Sequence, residues 1–234
     1  MSRAPDARLV FDATGTLIEA TASVGEVYHR VAREFGVDLP AWRLDDAFRR
    51  IMKHAPPRGT EGDSREARCT AEFGWWSEII RQTFQATDST ARFADFPAFA
   101  KALFETYRSG DAWRLRPGML SLLEVLEREN RRLAIASNFD HRLPDVLEAL
   151  KLKHFFEVIA LPCDAGATKP DRALFEHVAR ALESEIEGLV YIGDDAPDRL
   201  AQIAGYGIDV IDIRVLENPE QLADQLLTAA ANNA

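Results

Sequence analysis

Four short runs of this chain are almost uninterruptedly apolar: RLVF (8–11), RLAIAS (132–137), FEVIAL (156–161) and GLVYIG (188–193), with a weaker fifth, IDVIDI (208–213). They do not alternate polar with apolar, so they read as strands covered on both faces. Helical patterns lie between the later runs. PGMLSLLEVLEREN (117–130) opens on Pro-Gly and repeats leucine at helical spacing, and LPDVLEALKL (143–152) and RALFEHVARALE (172–183) do the same. Strands alternating with helices of this length imply a Rossmann-like, doubly wound α/β fold with a parallel sheet. Right-handed crossovers then bring the C-terminal ends of the strands to one edge.

The first interval breaks this rhythm. Residues 12–131 are too many for one crossover, and much of that stretch reads as helix: SVGEVYHRVAREFGV (23–37), LDDAFRRIMKH (44–54), FGWWSEIIRQTF (73–84) and FPAFAKALFETYR (96–108), with a polar loop at 54–66. The first of these has a Ser23–Glu26 capping box, an apolar face of Val24, Val27, Tyr28, Val31 and Phe35, and Gly36 where a C-terminal cap belongs. The expected division is a core domain of residues 1–18 and 115–234 with an inserted helical domain, 19–114. No internal repeat stands out, and the only soft segment is the TAAANNA tail (228–234).

Ligands of an open α/β sheet bind at the strand ends. The residues that follow the runs are unusually polar: Asp12 after the first, Ser137 and Asn138 at the second, and Asp194 and Asp195 after Gly193 at the fourth, with Asp198 one turn later. After the third comes LPCDAGATKPDRALF, which puts Lys169 before Pro170 at the mouth of a helix. Each group has a use in phosphoryl transfer. A carboxylate can attack phosphorus and split one hard step into two. Two anions approaching each other need a cation between them, and Mg²⁺ takes carboxylate and carbonyl oxygens. Asp12, Asp194 and the carbonyl of Thr14 can supply these, while Lys169 and Ser137 can hold phosphate oxygens. Gly15 lets the turn after Asp12 bend. Each residue also has an ordinary reading. Asp12 can cap a helix, Ser137 and Asn138 can be turn residues, Lys169 can be solvated, and Asp195 and Asp198 can cap the helix near Pro197.

FDATGTL, ASNFD, TKPDRALF and IGDDAPD stand in the order of the four motifs of the haloacid dehalogenase superfamily, which the chain resembles along its whole length. The helical insert sits where that superfamily carries its type I cap. WWSEIIRQTF and SNFDHRL resemble the branch of haloacid dehalogenase-like hydrolase domain-containing proteins. The resemblance implies that Asp12 is the nucleophile and that Ser137 and Lys169 hold phosphate, with Thr16 and Asn138 beside them. It implies a metal, Mg²⁺, on Asp12, Thr14 and Asp194, with Asp195 and Asp198 in or behind its shell.

One departure matters. Phosphatases of this superfamily usually carry a second aspartate two residues after the nucleophile, where this chain has Thr14. A threonine hydroxyl does not ionise near neutral pH, and loss of a positioned acid–base typically costs ~10²–10⁴ in rate. Three readings follow: a Mg²⁺-dependent phosphatase with weakened or restricted hydrolysis of its aspartyl phosphate, a 2-haloacid dehalogenase, and a catalytically impaired protein that binds a phosphorylated ligand or a partner. FDATGTL superficially suits the dehalogenase, but those enzymes use no metal and generally lack an acidic fourth motif, whereas GDDAPD is of the metal type.

Charge and composition limit the partners. The formal net charge of −10 disfavours a nucleic-acid backbone or an anionic membrane as the main partner. Cys69 and Cys163 have no metal-type spacing, and no run approaches a membrane span. The expectation is a cytoplasmic monomer or homodimer acting on a small phosphorylated or otherwise anionic substrate. In the insert, Arg49, Arg50, His54 and Arg58 can face that substrate or form a solvated surface. Phe73, Trp75, Trp76 and Phe84 can form the insert's core or a dimer surface.

Overall fold

The computed structural model describes residues 7–56, 58, 60, 62–216, 222, 223 and 226. The tail at 228–234 lies outside these residues. The chain divides into two compact units, Met1–Glu19 with Arg114–Ala234, and Ala20–Trp113.

The first unit is built on a five-stranded parallel sheet of β1 (Arg8–Phe11), β4 (Leu133–Ala136), β5 (Val158–Ala160), β6 (Leu189–Gly193) and β7 (Asp209–Asp212). The spatial order is β5-β4-β1-β6-β7, so β1 lies in the middle. Crossover helices join the strands: α5 (Met119–Arg128), α6 (Leu143–Ala149), the short α7 (Pro162–Ala165), α8 (Arg172–Ala181) and α9 (Pro197–Ala204). This is the Rossmann-like arrangement that the apolar runs imply. Leu9, Val10 and Phe11 are all fully buried, as a strand covered on both faces requires. On one face Val10, Ala134, Ala136 and Tyr191 pack with Leu174, Phe175 and Val178 of α8 and with Ile203 of α9.

Two strands of three residues, β2 (Ile18–Ala20) and β3 (Trp113–Leu115), pair where the chain passes between the units. They are too short for any alternation to show in the sequence.

The second unit is helical: α1 (Val24–Glu34), α2 (Ala41–His54), α3 (Arg65–Thr87) and α4 (Phe96–Thr106). Ser23 and Glu26 form the reciprocal capping box at the start of α1. The core gathers Val27, Tyr28, Val31, Leu44, Phe84 and Phe99. Phe99 stacks on Phe93 at 4.0 Å and meets Phe84 edge-on at 5.1 Å. Of the expected aromatic cluster, Phe84 is buried in this core, while Phe73, Trp75 and Trp76 stay partly exposed. α3 starts earlier than its apolar pattern suggests. Its first turns, from Arg65, are polar, and Ser64 caps them through its side chain. No helix among the described residues is long and apolar enough to cross a membrane.

Candidate active site

The register of the sheet decides which residues meet. Phe11 is level with Ile135 of β4 and Ile192 of β6, so the next residue of each strand emerges at the same edge. The ladder continues one step beyond the strands: Asp12 N–H donates to the Ile192 carbonyl at 2.9 Å, and Ser137 N–H donates to that of Ala160 at 3.2 Å. Asp12 is therefore a nearly buried carboxylate, 8% exposed, carried on the central strand. It leads into a turn and not into a helix, which overturns the helix-capping reading of this residue.

That turn is tight. Gly15 has φ +82°, and its N–H donates to the Ile18 carbonyl at 2.8 Å. Leu17 and Ile18 N–H both donate to the Ala13 carbonyl. The guanidinium of Arg116 donates to the Gly15 carbonyl, fixing the turn from outside. Thr16 is buried, whereas Thr14 is exposed.

Lys169 reaches Asp12 from the segment between α7 and α8. Its ammonium lies 2.9 Å from Asp12 Oδ1, 3.0 Å from Asp195 Oδ2 and 2.5 Å from the Tyr191 hydroxyl. With 4% exposure it is not a solvated surface lysine. Asn138 anchors its main chain: Nδ2 donates to the Lys169 carbonyl at 3.1 Å, and Lys169 N–H donates to Oδ1 at 2.7 Å. Asn138 thus has its carboxamide on the lysine's peptide groups. Ser137 is buried next to it, and its Oγ accepts from Phe139 N–H at 3.2 Å.

The two oxygens of Asp12 differ. Oδ1 accepts from Ala13 N–H at 2.7 Å and from Lys169. Oδ2 accepts no hydrogen bond from the described residues. Burial pushes the Asp12 carboxyl up from its ordinary pKa, the Lys169 charge and hydrogen bond pull it down, and Asp195 pushes it up again, leaving it raised. A more basic carboxylate is a better nucleophile once ionised.

The acids after β6 part company. Asp194 lies against the Asp12 turn: a Cβ built on Gly15 would come 2.1 Å from Asp194 Oδ2. Thr16 Oγ1 is 3.4 Å from its Oδ1. Asp195 instead faces Lys169 and Tyr191, whose hydroxyl donates to Oδ2 at 2.5 Å. Arg214 holds the Asp195 carbonyl at 2.9 Å. Asp198 is exposed in the first turn of α9. The N-cap of α9 is Ala196 and no side chain caps it, so neither Asp195 nor Asp198 plays the capping part that sequence alone allows.

The donor set fits a hard divalent cation. Asp12, Asp194 and the Thr14 carbonyl all offer oxygen, and the missing side chain at Gly15 leaves Asp194 its place beside the turn. Asp195 is committed to the lysine and the phenol.

Tyr191, Arg116 and Arg214 were not singled out by their sequence context. In the helical unit, Arg50 pairs with Asp46 at 3.1 Å and Arg49 donates to the Asp45 carbonyl at 3.2 Å, as a solvated helix face would have it. His54 is exposed, and the Arg58 guanidinium lies over the rings of Trp75 and Trp76 at 5.2 and 5.1 Å.

Residues 8–204 match the family model described as haloacid dehalogenase-like hydrolase. Haloacid dehalogenase-like hydrolase domain-containing protein 3 of Mus musculus is 30% identical to the chain, over 80% of this chain and 73% of its own. Among solved structures, the magnesium-bound HAD-hydrolase YfnB of Bacillus subtilis aligns with a TM-score of 0.70 at 18% identity, covering 94% of this chain and 99% of its own. The L-2-haloacid dehalogenase PA0810 aligns almost as well, with a TM-score of 0.69 at 18% identity over 95% of this chain and 99% of its own. The fold is shared by both, so the site's own residues must separate their chemistries.

Proposed function

The chain belongs to the haloacid dehalogenase-like hydrolase family, and we propose that it is a Mg²⁺-dependent phosphatase that works through an aspartyl phosphate on Asp12 and hydrolyses that intermediate slowly. The observation that carries the reading is the asymmetry of Asp12. One oxygen is tied to Ala13 N–H and Lys169, and the other accepts no hydrogen bond from the described residues. A carboxylate held in this way is oriented for attack.

Asp12 Oδ2 attacks phosphorus, the bond from phosphorus to the substrate oxygen breaks, and the leaving alkoxide takes a proton from water. Lys169, held by Asn138, stabilises charge gathering on the transferring group. Ser137 and Thr16 lie at the same edge as candidate hydrogen-bond partners for phosphate oxygens. In the second half, water attacks the aspartyl phosphate and Asp12 leaves as a carboxylate. Asp12, Asp194 and the Thr14 carbonyl would hold Mg²⁺, which supplies positive charge between the two anions when bound.

Thr14 has no carboxyl to give or take the proton in either half. The reading therefore favours substrates whose leaving group departs without protonation. Asp194 at the metal corner supports phosphorus over carbon as the atom attacked, because displacement of halide from carbon needs no cation there. The helical unit, residues 20–113, is proposed as the cap that selects a small anionic substrate.

The test is release of p-nitrophenol from p-nitrophenyl phosphate with Mg²⁺, together with acid-quench trapping of labelled phosphate on Asp12. Metal-dependent turnover with trapped label is expected. Absence of both, or metal-independent halide release from 2-chloropropionate, overturns the reading.

A further inference from the structure

Tyr191 lies inside β6, fully buried, in a run otherwise of leucine, valine, isoleucine and glycine. A hydroxyl at such a position must find partners or cost stability. Its partners are Lys169 and Asp195, both at 2.5 Å. We infer that Tyr191 is a positioning residue of this site, whose phenol sets the direction of the Lys169 ammonium toward Asp12.

Donor accounting leads to this role. An ammonium has three N–H groups, and Lys169 has three oxygen partners: Asp12, Asp195 and the phenol. A phenol has one O–H, which donates to Asp195 Oδ2, leaving its lone pairs for the lysine. The chain of donation therefore runs one way, from Lys169 through Tyr191 to Asp195. Burial, then the negative charges of Asp12 and Asp195, hold the phenol far above its ordinary pKa, so it keeps the proton it donates.

The ring is closely packed. Phe175 of α8 meets it edge-on at 5.4 Å. Gly193, two residues along the same strand and on the same face, makes room for it: a Cβ there would come 2.7 Å from the hydroxyl and 2.8 Å from Cε1. The glycine that opens the acidic motif is thus also the clearance for the phenol. The Lys169 ammonium lies 5.1 Å from the centre of the same ring. Without the hydroxyl, one N–H of a buried ammonium has no acceptor and the Asp195 carboxylate keeps only one of its two donors, the lysine itself. The ammonium can then turn away from Asp12.

The inference rests on Asp12 as the nucleophile only for its effect on rate, so two readouts are needed. The first is the lysine side-chain ¹H–¹⁵N spectrum of the full chain without substrate. Of five lysines only Lys169 is buried, so one slowly exchanging ammonium resonance is expected, assigned by its absence from Lys169→Met. The second is steady-state kinetics on p-nitrophenyl phosphate with Mg²⁺. Tyr191→Phe is expected to lose the resonance and to lower kcat about ten- to a hundredfold, with KM within about twofold. Gly193→Ala, which keeps the hydroxyl but crowds it, is expected to lose the resonance as well. Phe175→Leu loosens the packing but leaves the hydroxyl, and is expected to melt earlier while keeping both the resonance and kcat. A Tyr191→Phe protein that retains either one overturns the inference. If the wild-type chain turns over no phosphate ester, the proposed function fails and the resonance alone decides the role of Tyr191.

Discussion

Asn138 grips Lys169 by its own main chain: the carboxamide donates to the lysine's carbonyl at 3.1 Å and accepts from its N–H at 2.7 Å. A side chain on one strand end thereby fixes the peptide that launches the buried lysine from another connection. Asn138→Ala should leave both peptide groups without these partners and destabilise the fold by about 2 kcal/mol. Urea unfolding measures that cost. Turnover should fall as well, because the lysine loses its anchor. A variant with unchanged midpoint and kcat would contradict this account.

Asp194 lies against the turn after Asp12 because Gly15 has no side chain. An alanine there would need to hold φ near +82° and to share space with Asp194 Oδ2, 2.1 Å from its Cβ. Gly15→Ala should abolish Mg²⁺ binding. Bound ligand at a hundred times its Kd adds about 2.7 kcal/mol of stability, so Mg²⁺ should raise the melting temperature of the wild type and leave that of the variant unmoved.

Thr14 is exposed two residues beyond Asp12, where a carboxyl could exchange protons with a leaving oxygen and with water. Thr14→Asp should raise turnover of an aryl or alkyl phosphate by ~10²–10⁴. The gain should be larger for alkyl esters, whose leaving oxygen depends more on protonation. Parallel assays of the two ester classes check both the size and the order of the effect.

Asp12 should cost stability for the sake of function. Its carboxyl is raised in the folded state, chiefly by burial. The folded protein therefore holds that proton more tightly than the unfolded chain does. Stability contributed by the protonated form is complete below the unfolded pKa and is lost as pH rises through the folded one. Asp12→Asn removes this titration. In metal-free buffer the variant should be more stable than wild type at neutral pH, and the gap should close below about pH 4. Its turnover should be abolished. Melting curves across pH with and without the substitution test the sign.

Much of this was legible in the residues, for definite reasons. The strands of the sheet are buried on both faces, so their apolar runs stand out without any periodicity. Asp12, Ser137 and Lys169 were legible because each is a polar residue directly after such a run or before a helix. Tyr191 was not, since a tyrosine among valine and isoleucine reads as core, and only coordinates reveal where its hydroxyl points. Arg116 and Arg214 were hidden for the opposite reason: an arginine near a strand or turn reads as solvated. The beginning of α3 was missed because REARCTAE carries no apolar stripe, although Ser64 stood before it as a cap. The roles of the acids after β6 could not be divided from sequence, because adjacent residues on a turn diverge in directions that spacing does not encode.

β1 is hydrogen-bonded to β4 on one side and β6 on the other, so Asp12 is carried at the end of the middle strand of the sheet. The amide protons of such a central strand are expected to be among the slowest to exchange with solvent. Asp12, Asn138 and Asp194 follow β1, β4 and β6, which are neighbouring strands of that sheet. Heat inactivation is then expected to follow the melting of this sheet.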